Sequence, residues 1–407
     1  MSIVFITFIV GTAVLLSWPL GRAMTWAMSP GDKVGDFRGG AERLFETAAG
    51  KVIAREQTWK EYVLSMLLFN GFMFIVVFVI LAMQQVLPLN PDGKGALSPD
   101  LIFHTVASFT SNTNLQHYSG EVSLSYFSQI FGLMWLQFVS AATGIAALTA
   151  LARGLAGKTL LGNFYRDLMR ATFLVLLPLA VAVAVFLLLG GVPMTLQGSA
   201  TVKTLEGELQ TIARGPVAAF AAIKQLGTNG GGFFGPNSAH PFENPSFFTN
   251  ILECLSIILI PMASVWMFGR ITSRMRHAVI VFAVMSVLLV GTVGLAVHFE
   301  SAPTAAFNGL PIQATGNLEG KELRFGSAAG PLWGTLTTTT SNGSVDSMHD
   351  SFTPSGGMLP MIHMMLGEIS PGGVGVGLIG ILHYALLAVF IAGFLWDRIG
   401  ARGPVFD

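Results

Sequence analysis

Three short polar triplets interrupt otherwise apolar stretches of this 407-residue chain. They are Ser111-Asn112-Thr113, Thr228-Asn229-Gly230 and Ser341-Asn342-Gly343, and their asparagines are 117 and 113 residues apart. Each triplet offers hydroxyl, amide and main-chain oxygens but no carboxylate, a set that suits a weakly hydrated monovalent cation better than Ca²⁺ or Mg²⁺. Asparagine and glycine also tolerate positive φ, as a tight turn requires. The recurrence predicts one site, built from three loops, for a weakly hydrated monovalent ion such as potassium.

The elements that carry these loops are predicted to be membrane helices. Charged residues make up 11% of the chain and hydrophobic residues 52%, against roughly 25% charged in a soluble domain. A span needs roughly 20 apolar residues, and seven segments approach or exceed that length: 3–21, 62–87, 127–152, 171–192, 247–269, 278–299 and 357–396. We therefore predict an all-α polytopic membrane protein. Its net charge of zero gives no reason to expect a nucleic-acid partner.

Loop charges predict the orientation of the spans. Most Lys and Arg residues follow the first, third, fifth and seventh segments, so these loops are expected to be cytoplasmic and the N-terminus external. All three triplets then fall in external loops. The uncharged or nearly uncharged runs before them, 101–110, 216–227 and 330–340, are too short to span. They suit half-helices that enter the membrane and turn back, provided that the turn is packed in protein or lines a watery cavity.

The seventh segment is about twice the crossing length and contains the run Gly372-Gly373-Val374-Gly375-Val376-Gly377. Clustered glycines weaken a helix, so Gly372, Gly373, Gly375 and Gly377 predict a break inside the membrane, which places free carbonyls along an ion path. Close helix packing is the alternative reason for these glycines. Glu368 is a candidate for the same path because an ionisable group at membrane depth is costly; an interfacial carboxylate facing water explains it equally well.

Other motifs give weaker signals. Gly157-Lys158-Thr159 ends like a phosphate-binding loop, but Ala152 occupies the position of its first glycine. The sequence contains no aspartyl-phosphate signature, so we expect no ATP hydrolysis by this chain. His240 and Glu243 are expected to brace the second loop, and Glu253 receives no role. Acidic residues outnumber basic ones in the predicted external loops. Weak concentration of cations at the mouth and ordinary solvated loops explain this equally well; these charges include Lys224, Glu300, Lys321 and Asp346.

Five stretches resemble one family. These are 108–121 (SFTSNTNLQHYSGE), 226–245 (LGTNGGGFFGPNSAHPFENP), 317–325 (NLEGKELRF), 348–357 (MHDSFTPSGG) and, more weakly, 386–393 (LLAVFIAG). The chain is similar to the potassium-binding, channel-like subunit of the bacterial Kdp potassium-transporting P-type ATPase. That family is in turn similar to the Trk/Ktr transporters.

The resemblance implies a site and partners. Potassium would be bound at three filter walls: Ser111, Asn112, Thr113 and Asn114; Thr228, Asn229 and Gly230; Ser341, Asn342 and Gly343. The resemblance further implies that the break in the seventh segment acts as a gate. It implies no cofactor, with K⁺ as the transported ion, and a subunit without catalytic residues of its own. The expected partners are a P-type ATPase catalytic subunit, small accessory subunits and the lipid bilayer. The expected location is the bacterial inner membrane.

The resemblance also sets an expected domain organisation. An extra N-terminal helix at 1–28 precedes pore repeats at 62–152, 168–269 and 277–398, and 399–407 forms a divergent tail. The family has four repeats, so the chain is expected to be C-terminally truncated. A stand-alone channel or symporter subunit of the Trk/Ktr type, or a non-functional remnant, is the alternative to a pump subunit.

Overall fold

A computed structural model describes residues 2–29, 40, 43, 45–47, 50–53, 55–302, 309 and 316–400. The helices are α1 (Ser2–Met28), α2 (Trp59–Ala82), α3 (Pro99–Thr110), α4 (Ser128–Leu155), α5 (Phe164–Leu189), α6 (Val217–Leu226), α7 (Phe247–Ile271), α8 (Met275–Ser301), α9 (Ala329–Thr339), α10 (Pro354–Met365) and α11 (Val376–Gly400). Short helical turns occupy Gly50–Ile53, Gly120–Ser123, Asn237–Ala239 and His349–Ser351. Strands β1 (Ala200–Lys203) and β2 (Leu209–Ile212) pair antiparallel, with Ala200 opposite Ile212.

Seven of the described helices are long and apolar enough to cross a bilayer, which confirms the predicted membrane class. They are α1, α2, α4, α5, α7, α8 and α11. Their starts are fixed locally: the Thr58 side chain accepts from the amide of Glu61 before α2, and the Asn163 side chain accepts from that of Arg166 before α5. Two spans contain a wider π-helical stretch, at Ser128–Met134 in α4 and Ala171–Leu176 in α5.

Burial shows which spans form the centre of the molecule. In α7 and α4, 78% and 61% of the apolar span is buried, against 11% in each of α2 and α11. Helix α1 packs on the outside of α7, where the indole nitrogen of Trp266 donates to Ser17 Oγ at 2.9 Å. Gly21 allows this approach, because a Cβ there would lie 2.7 Å from the carbonyl oxygen of Ala263. Helices α4 and α7 are therefore the central spans of the described molecule.

The predicted seventh segment is divided into α10 and α11 by a non-helical connection at 366–375. The predicted break is confirmed, but it is longer than the glycine run and begins before it. Gly377 lies in the first turn of α11 rather than in the break. Of the predicted tail 399–407, residues 401–407 lie outside the described part of the chain.

Candidate ion-binding site

Each polar triplet follows the end of a short helix. Helices α3, α6 and α9 are 12, 10 and 11 residues long, which is too short to span. Each loop then has two left-handed residues separated by one residue. The pairs are Asn112 (φ 64°) and Asn114 (φ 52°), Thr228 (φ 48°) and Gly230 (φ 84°), and Ser341 (φ 59°) and Gly343 (φ 84°).

The hydrogen bonds that close the loops set their true equivalence. In each loop, the residue between the two left-handed positions donates its amide to the carbonyl five residues earlier, and this bond is 2.9 Å long in all three loops. The bonds run from Thr113 to Ser108, from Asn229 to Lys224 and from Asn342 to Thr337. The structure thus matches Thr113, not Asn112, to the other two middle asparagines. Alignment by identical letters was wrong by one residue in the first loop.

The first and second loops are in direct contact. Asn229 Nδ2 donates to Asn112 Oδ1, and Asn112 Nδ2 lies 3.4 Å from the carbonyl oxygens of both Gly227 and Thr228. Ser140 Oγ on α4 donates to the same Asn112 oxygen at 2.7 Å. One side-chain amide of the first loop therefore bridges the second loop and a central span.

The second and third loops meet just as closely. Asn342 Nδ2 donates to the carbonyl of Lys224 at 3.3 Å. Gly230 packs against the main chain of Asn342, and a Cβ added at Gly230 would overlap the Asn342 carbonyl oxygen. Only glycine combines this approach with a φ of 84°. All three loops therefore lie together, with the second between the other two.

The predicted filter residues differ in exposure. Thr228, Asn229 and Asn342 are fully buried, Asn112 and Ser341 are half-buried, and Ser111, Thr113 and Gly343 are exposed. Of the predicted filter residues, Asn114 and Asn229 have a buried Oδ1 without a hydrogen-bond partner among the described residues, and Asn114 Nδ2 also lacks one. A buried polar atom without a partner calls for an explanation, and a bound cation is one that fits a neutral oxygen.

Three side-chain amides hold the glycine run that follows the second triplet. Asn237 Nδ2 donates to the carbonyl of Gly230 at 2.8 Å. Gln137 Nε2 donates to the carbonyl of Gly231 at 2.9 Å, and Gln116 Nε2 donates to that of Gly232 at 3.0 Å. The sequence analysis missed these residues. A role for Gln116 could have been predicted, because this residue lies two positions after the first loop.

A buried ion pair supports the second loop from behind. Lys224 Nζ lies 2.6 Å from Glu243 Oε2, and both side chains are fully buried. Glu243 Oε1 accepts the amides of Phe233 at 2.6 Å and Phe234 at 3.1 Å. The predicted bracing role of Glu243 is confirmed. The expectation that Lys224 is a solvated external charge was wrong, since Lys224 lies on α6 and points into protein.

A second group of buried polar side chains joins the second and third loops. Gln225 Nε2 donates to Glu253 Oε2 at 2.7 Å, and Ser238 Oγ donates to the same oxygen at 2.8 Å. Ser344 Oγ, just after the third triplet, donates to Gln225 Oε1 at 3.0 Å. Glu253, which received no role from the sequence, thus anchors both loops to α7.

Three other charges expected to be solvated are also buried. Lys321 Nζ pairs with Glu300 Oε2 at 2.7 Å, with both side chains inaccessible. Asp346 is 1% exposed and accepts from Asn250 Nδ2 at 3.3 Å. Burial raises the pKa of Asp346 to about 7. These three charged side chains are therefore buried in protein rather than solvated.

The connection between α10 and α11 lies against the loops. The amide of Gly372 donates to the carbonyl of Thr339 at 2.8 Å, and that of Val374 donates to Thr228 Oγ1 at 3.0 Å. Gly373 lies beside Ser341, and Gly375 is in contact with the main chain of Gly144. Glu368, the other residue predicted for this path, is half-buried with φ 55°.

Seven apolar spans in the described part of the chain, around a meeting point of neutral oxygens, define a multi-pass membrane protein. The chain belongs to the family described as the potassium-transporting ATPase A subunit, whose family model matches residues 7–400. The predicted resemblance is confirmed.

Several curated relatives have the name potassium-transporting ATPase potassium-binding subunit. The one from Rhodospirillum centenum is 48% identical over 373 residues, covering 91% of this chain and 64% of the relative. The one from Pseudomonas aeruginosa is 50% identical over 359 residues, covering 88% and 64%. The one from Mycobacterium tuberculosis is 46% identical over 381 residues, covering 91% and 66%. The chain thus spans slightly less than two thirds of the length of these relatives.

Proposed function

We propose that this chain binds and translocates potassium as a subunit of an ATP-driven uptake complex. The observation that carries the proposal is the direct contact of all three triplet loops, through Asn112 with Asn229 and through Gly230 with Asn342. The names of the relatives, which specify potassium binding, agree with the chemistry of these loops.

The triplet residues act as the walls of a filter. Their oxygens are neutral, so they can replace the water shell of a weakly hydrated monovalent ion without holding it as strongly as carboxylates would. The unpartnered amide oxygens of Asn114 and Asn229 are suitable ligands. Hydrogen bonds from α4 and from Gln116 keep the loops at fixed separation, which favours K⁺ over smaller or more strongly hydrated ions.

The connection at 366–375 acts as the gate. Because it is bonded to the loops through Gly372 and Val374, it obstructs straight passage beneath them. Ions then leave sideways toward a partner, and Glu368 lies on that route. The three helix–loop–helix repeats and the external N-terminus remain our interpretation of this arrangement.

ATP hydrolysis belongs to a separate P-type ATPase catalytic subunit, and small accessory subunits complete the complex in the bacterial inner membrane. This assignment follows from the names of the relatives, which describe one binding subunit of an ATPase, and from the missing aspartyl-phosphate signature in the sequence. No catalytic residue and no cofactor are assigned to this chain.

Potassium binding to the purified chain, measured by isothermal titration calorimetry against Na⁺ and Rb⁺, tests the filter. Asn229→Ala is expected to lower K⁺ affinity at least about tenfold, since it removes a ligand and the contact with Asn112. Asn90→Ala, in a loop that does not touch the triplets, is the matched control. Equal affinity in the two variants would remove the second loop from the site.

Uptake in a potassium-uptake-deficient strain tests the pump assignment. Growth at low potassium should require co-expression of a P-type ATPase subunit. Growth with this chain alone would instead establish a channel or symporter of the Trk/Ktr type.

A further inference from the structure

A basic cavity of about 360 Å³ lies at the opposite end of the spans from the triplet loops, and the proposed transport does not use it. It is located where three spans begin or end. Arg153 is in the last turn of α4, Arg166 and Arg170 are near the start of α5, and α2 begins nearby at Trp59. The charge pattern of the sequence predicts that this end is cytoplasmic.

The lining has an excess of positive charge. Five basic side chains, Arg55, Arg153, Lys158, Arg166 and Arg170, face two acidic ones, Glu56 and Asp167. Of these, Arg153 and Asp167 neutralise each other through two hydrogen bonds, at 2.5 and 3.0 Å. That pair is structural: Arg153 also donates to the carbonyl of Met28 at 2.9 Å, and Tyr62 donates to Asp167 at 3.0 Å.

Arg170 also pairs with Asp167, at 3.7 Å, and both side chains are buried. The other three cations are Arg55, Lys158 and Arg166. Arg166 pairs at 3.0 Å with Glu46, whose side chain is 49% exposed, and Arg55 pairs with Glu61 on the surface. Exposed ion pairs of this kind contribute little to the stability of the fold, so their cations can exchange partners. Among the residues that the structure describes, Lys158 makes no ion pair, and the buried Arg166 Nε donates to nothing. The cavity thus has more basic than acidic lining residues, and a donor without a partner at Arg166 Nε.

The chemistry of the lining suits a phosphate group. Guanidinium groups bind phosphate oxygens through parallel N–H donors, and a lysine adds a point charge. Lys158 and Thr159 follow Gly157, whose φ of 84° turns the chain at the cavity rim. This is the Gly-Lys-Thr run that the transport proposal leaves without a role.

Exposed apolar side chains occur at Leu160, which lines the cavity, and at positions close in sequence to other lining residues. Val52, Leu155 and Leu160 are 60%, 53% and 41% exposed, and Trp59 is 61% exposed. A tryptophan and aliphatic side chains at the ends of spans are typical of the boundary between hydrocarbon and headgroups. Basic pockets between membrane helices at this level bind anionic headgroups.

We propose that this cavity is a binding site for a phosphate-bearing anion. The phosphate lies against Lys158, Arg55 and Arg166, and the Arg153–Asp167 pair fixes the cavity wall. A phospholipid headgroup and a free phosphate compound offer the same chemistry, so the test must separate the two sources.

Thermal unfolding of the purified chain provides that test. In one arm, the chain is placed in bilayer discs of phosphatidylcholine with or without cardiolipin, which carries two phosphates. In the other arm, inorganic pyrophosphate is added to discs of phosphatidylcholine alone. One of the two anions should raise the melting temperature by about 2–4 °C, because a ligand that binds only the folded state stabilises it. About 1 M salt should abolish the shift, since it shortens the Debye length to about 3 Å and so screens exposed charges that are farther apart than this.

The double variant Arg55→Gln/Lys158→Gln should lose at least half of this shift. Both side chains are exposed, so the variant should unfold at the wild-type temperature in phosphatidylcholine alone. Lys60→Gln is the matched control, because Lys60 is an exposed cation at the same membrane end that does not line the cavity. A shift with cardiolipin only assigns the site to a lipid, and a shift with pyrophosphate only assigns it to a soluble anion. No shift with either, or an equal shift in the double variant, overturns the proposal.

Discussion

The amide of Val374 donates to the hydroxyl oxygen of Thr228 at 3.0 Å, across 146 residues of sequence. This bond joins the break in the last span to the middle one of three touching loops. Thr228 is fully buried and has left-handed backbone geometry, so its hydroxyl is held in one place. The position of the break is therefore tied to the conformation of the second loop.

Thr228→Val should loosen that tie with almost no change in volume. The amide of Val374 would lose its acceptor, at a cost of about 1–3 kcal/mol for a buried donor left unpaired. We expect faster passive entry of ⁸⁶Rb⁺ into liposomes that contain the chain. Thr149→Val is the control, because Thr149 is equally buried but donates only within its own helix, to Ile145. The same leak from both variants would contradict a gating role for the bond.

Gly230→Ala and Gly343→Ala separate backbone strain from steric overlap. Both glycines have a φ of 84°, so each substitution costs about 1–2 kcal/mol in strain. Only at Gly230 would the new methyl group overlap the main chain of Asn342; at Gly343 it meets nothing within 4 Å. Potassium affinity, measured by calorimetry, should fall about tenfold further for Gly230→Ala than for Gly343→Ala. Equal losses would mean that the close approach of the two loops does not matter for the ion.

The buried pair of Lys224 and Glu243 should be sensitive to loss of one partner. Lys224→Met leaves the buried Glu243 carboxylate without its partner, so we expect the free energy of unfolding to fall by about 3–5 kcal/mol. Denaturant unfolding in micelles measures this change, and Lys203→Met on the exposed hairpin is the control. The double variant Lys224→Met/Glu243→Gln should lose less than the sum of the two single losses. Additive losses would show that the two charges do not act as a pair.

Asp346 should make stability depend on pH. Burial raises its pKa to about 7 in the folded chain, whereas the unfolded side chain loses its proton near pH 4. Between these values the unfolded state binds fewer protons, so the free energy of unfolding should fall by a few kcal/mol as pH rises from about 4 to 7, and then level off.

Asp346→Asn should remove this dependence and raise stability at neutral pH. The comparison is made by thermal unfolding at a series of pH values. Asp350→Asn, four residues away and exposed, serves as the reference. If the two variants show the same pH profile, burial does not control the Asp346 carboxyl.

The spans could be predicted from sequence because their signal is local. A run of apolar residues fixes a membrane helix without knowledge of its neighbours, and the end points 247–269 lie within two residues of the observed Phe247–Ile271. The break near Gly372 was predictable for the same reason. Its true extent was not, because residues 366–371 leave the helix through tertiary bonds such as the one from the Ser370 hydroxyl to the carbonyl of Met285.

The buried charges were missed because each charged residue was assigned to solvent from its residue type alone, without knowledge of its partner in the fold. Lys224 and Glu243 are 19 residues apart, and only the fold brings their charged atoms together. One signal was available: a lysine inside a short apolar helix that enters a membrane must find a partner. The one-residue offset at Thr113 was beyond sequence, since it depends on where the α3 helix ends in space. The assignment of ions to these residues stays a prediction.

The offset at Thr113 gives the three loops unequal chemistry within a single polypeptide. Pores assembled from identical subunits repeat every substitution around their axis, so individual contributions cannot be isolated there. Here the wall with a threonine at its centre can be edited alone, toward or away from the asparagine present in its two neighbours. Such single edits would measure how much asymmetry the proposed site for an alkali ion tolerates.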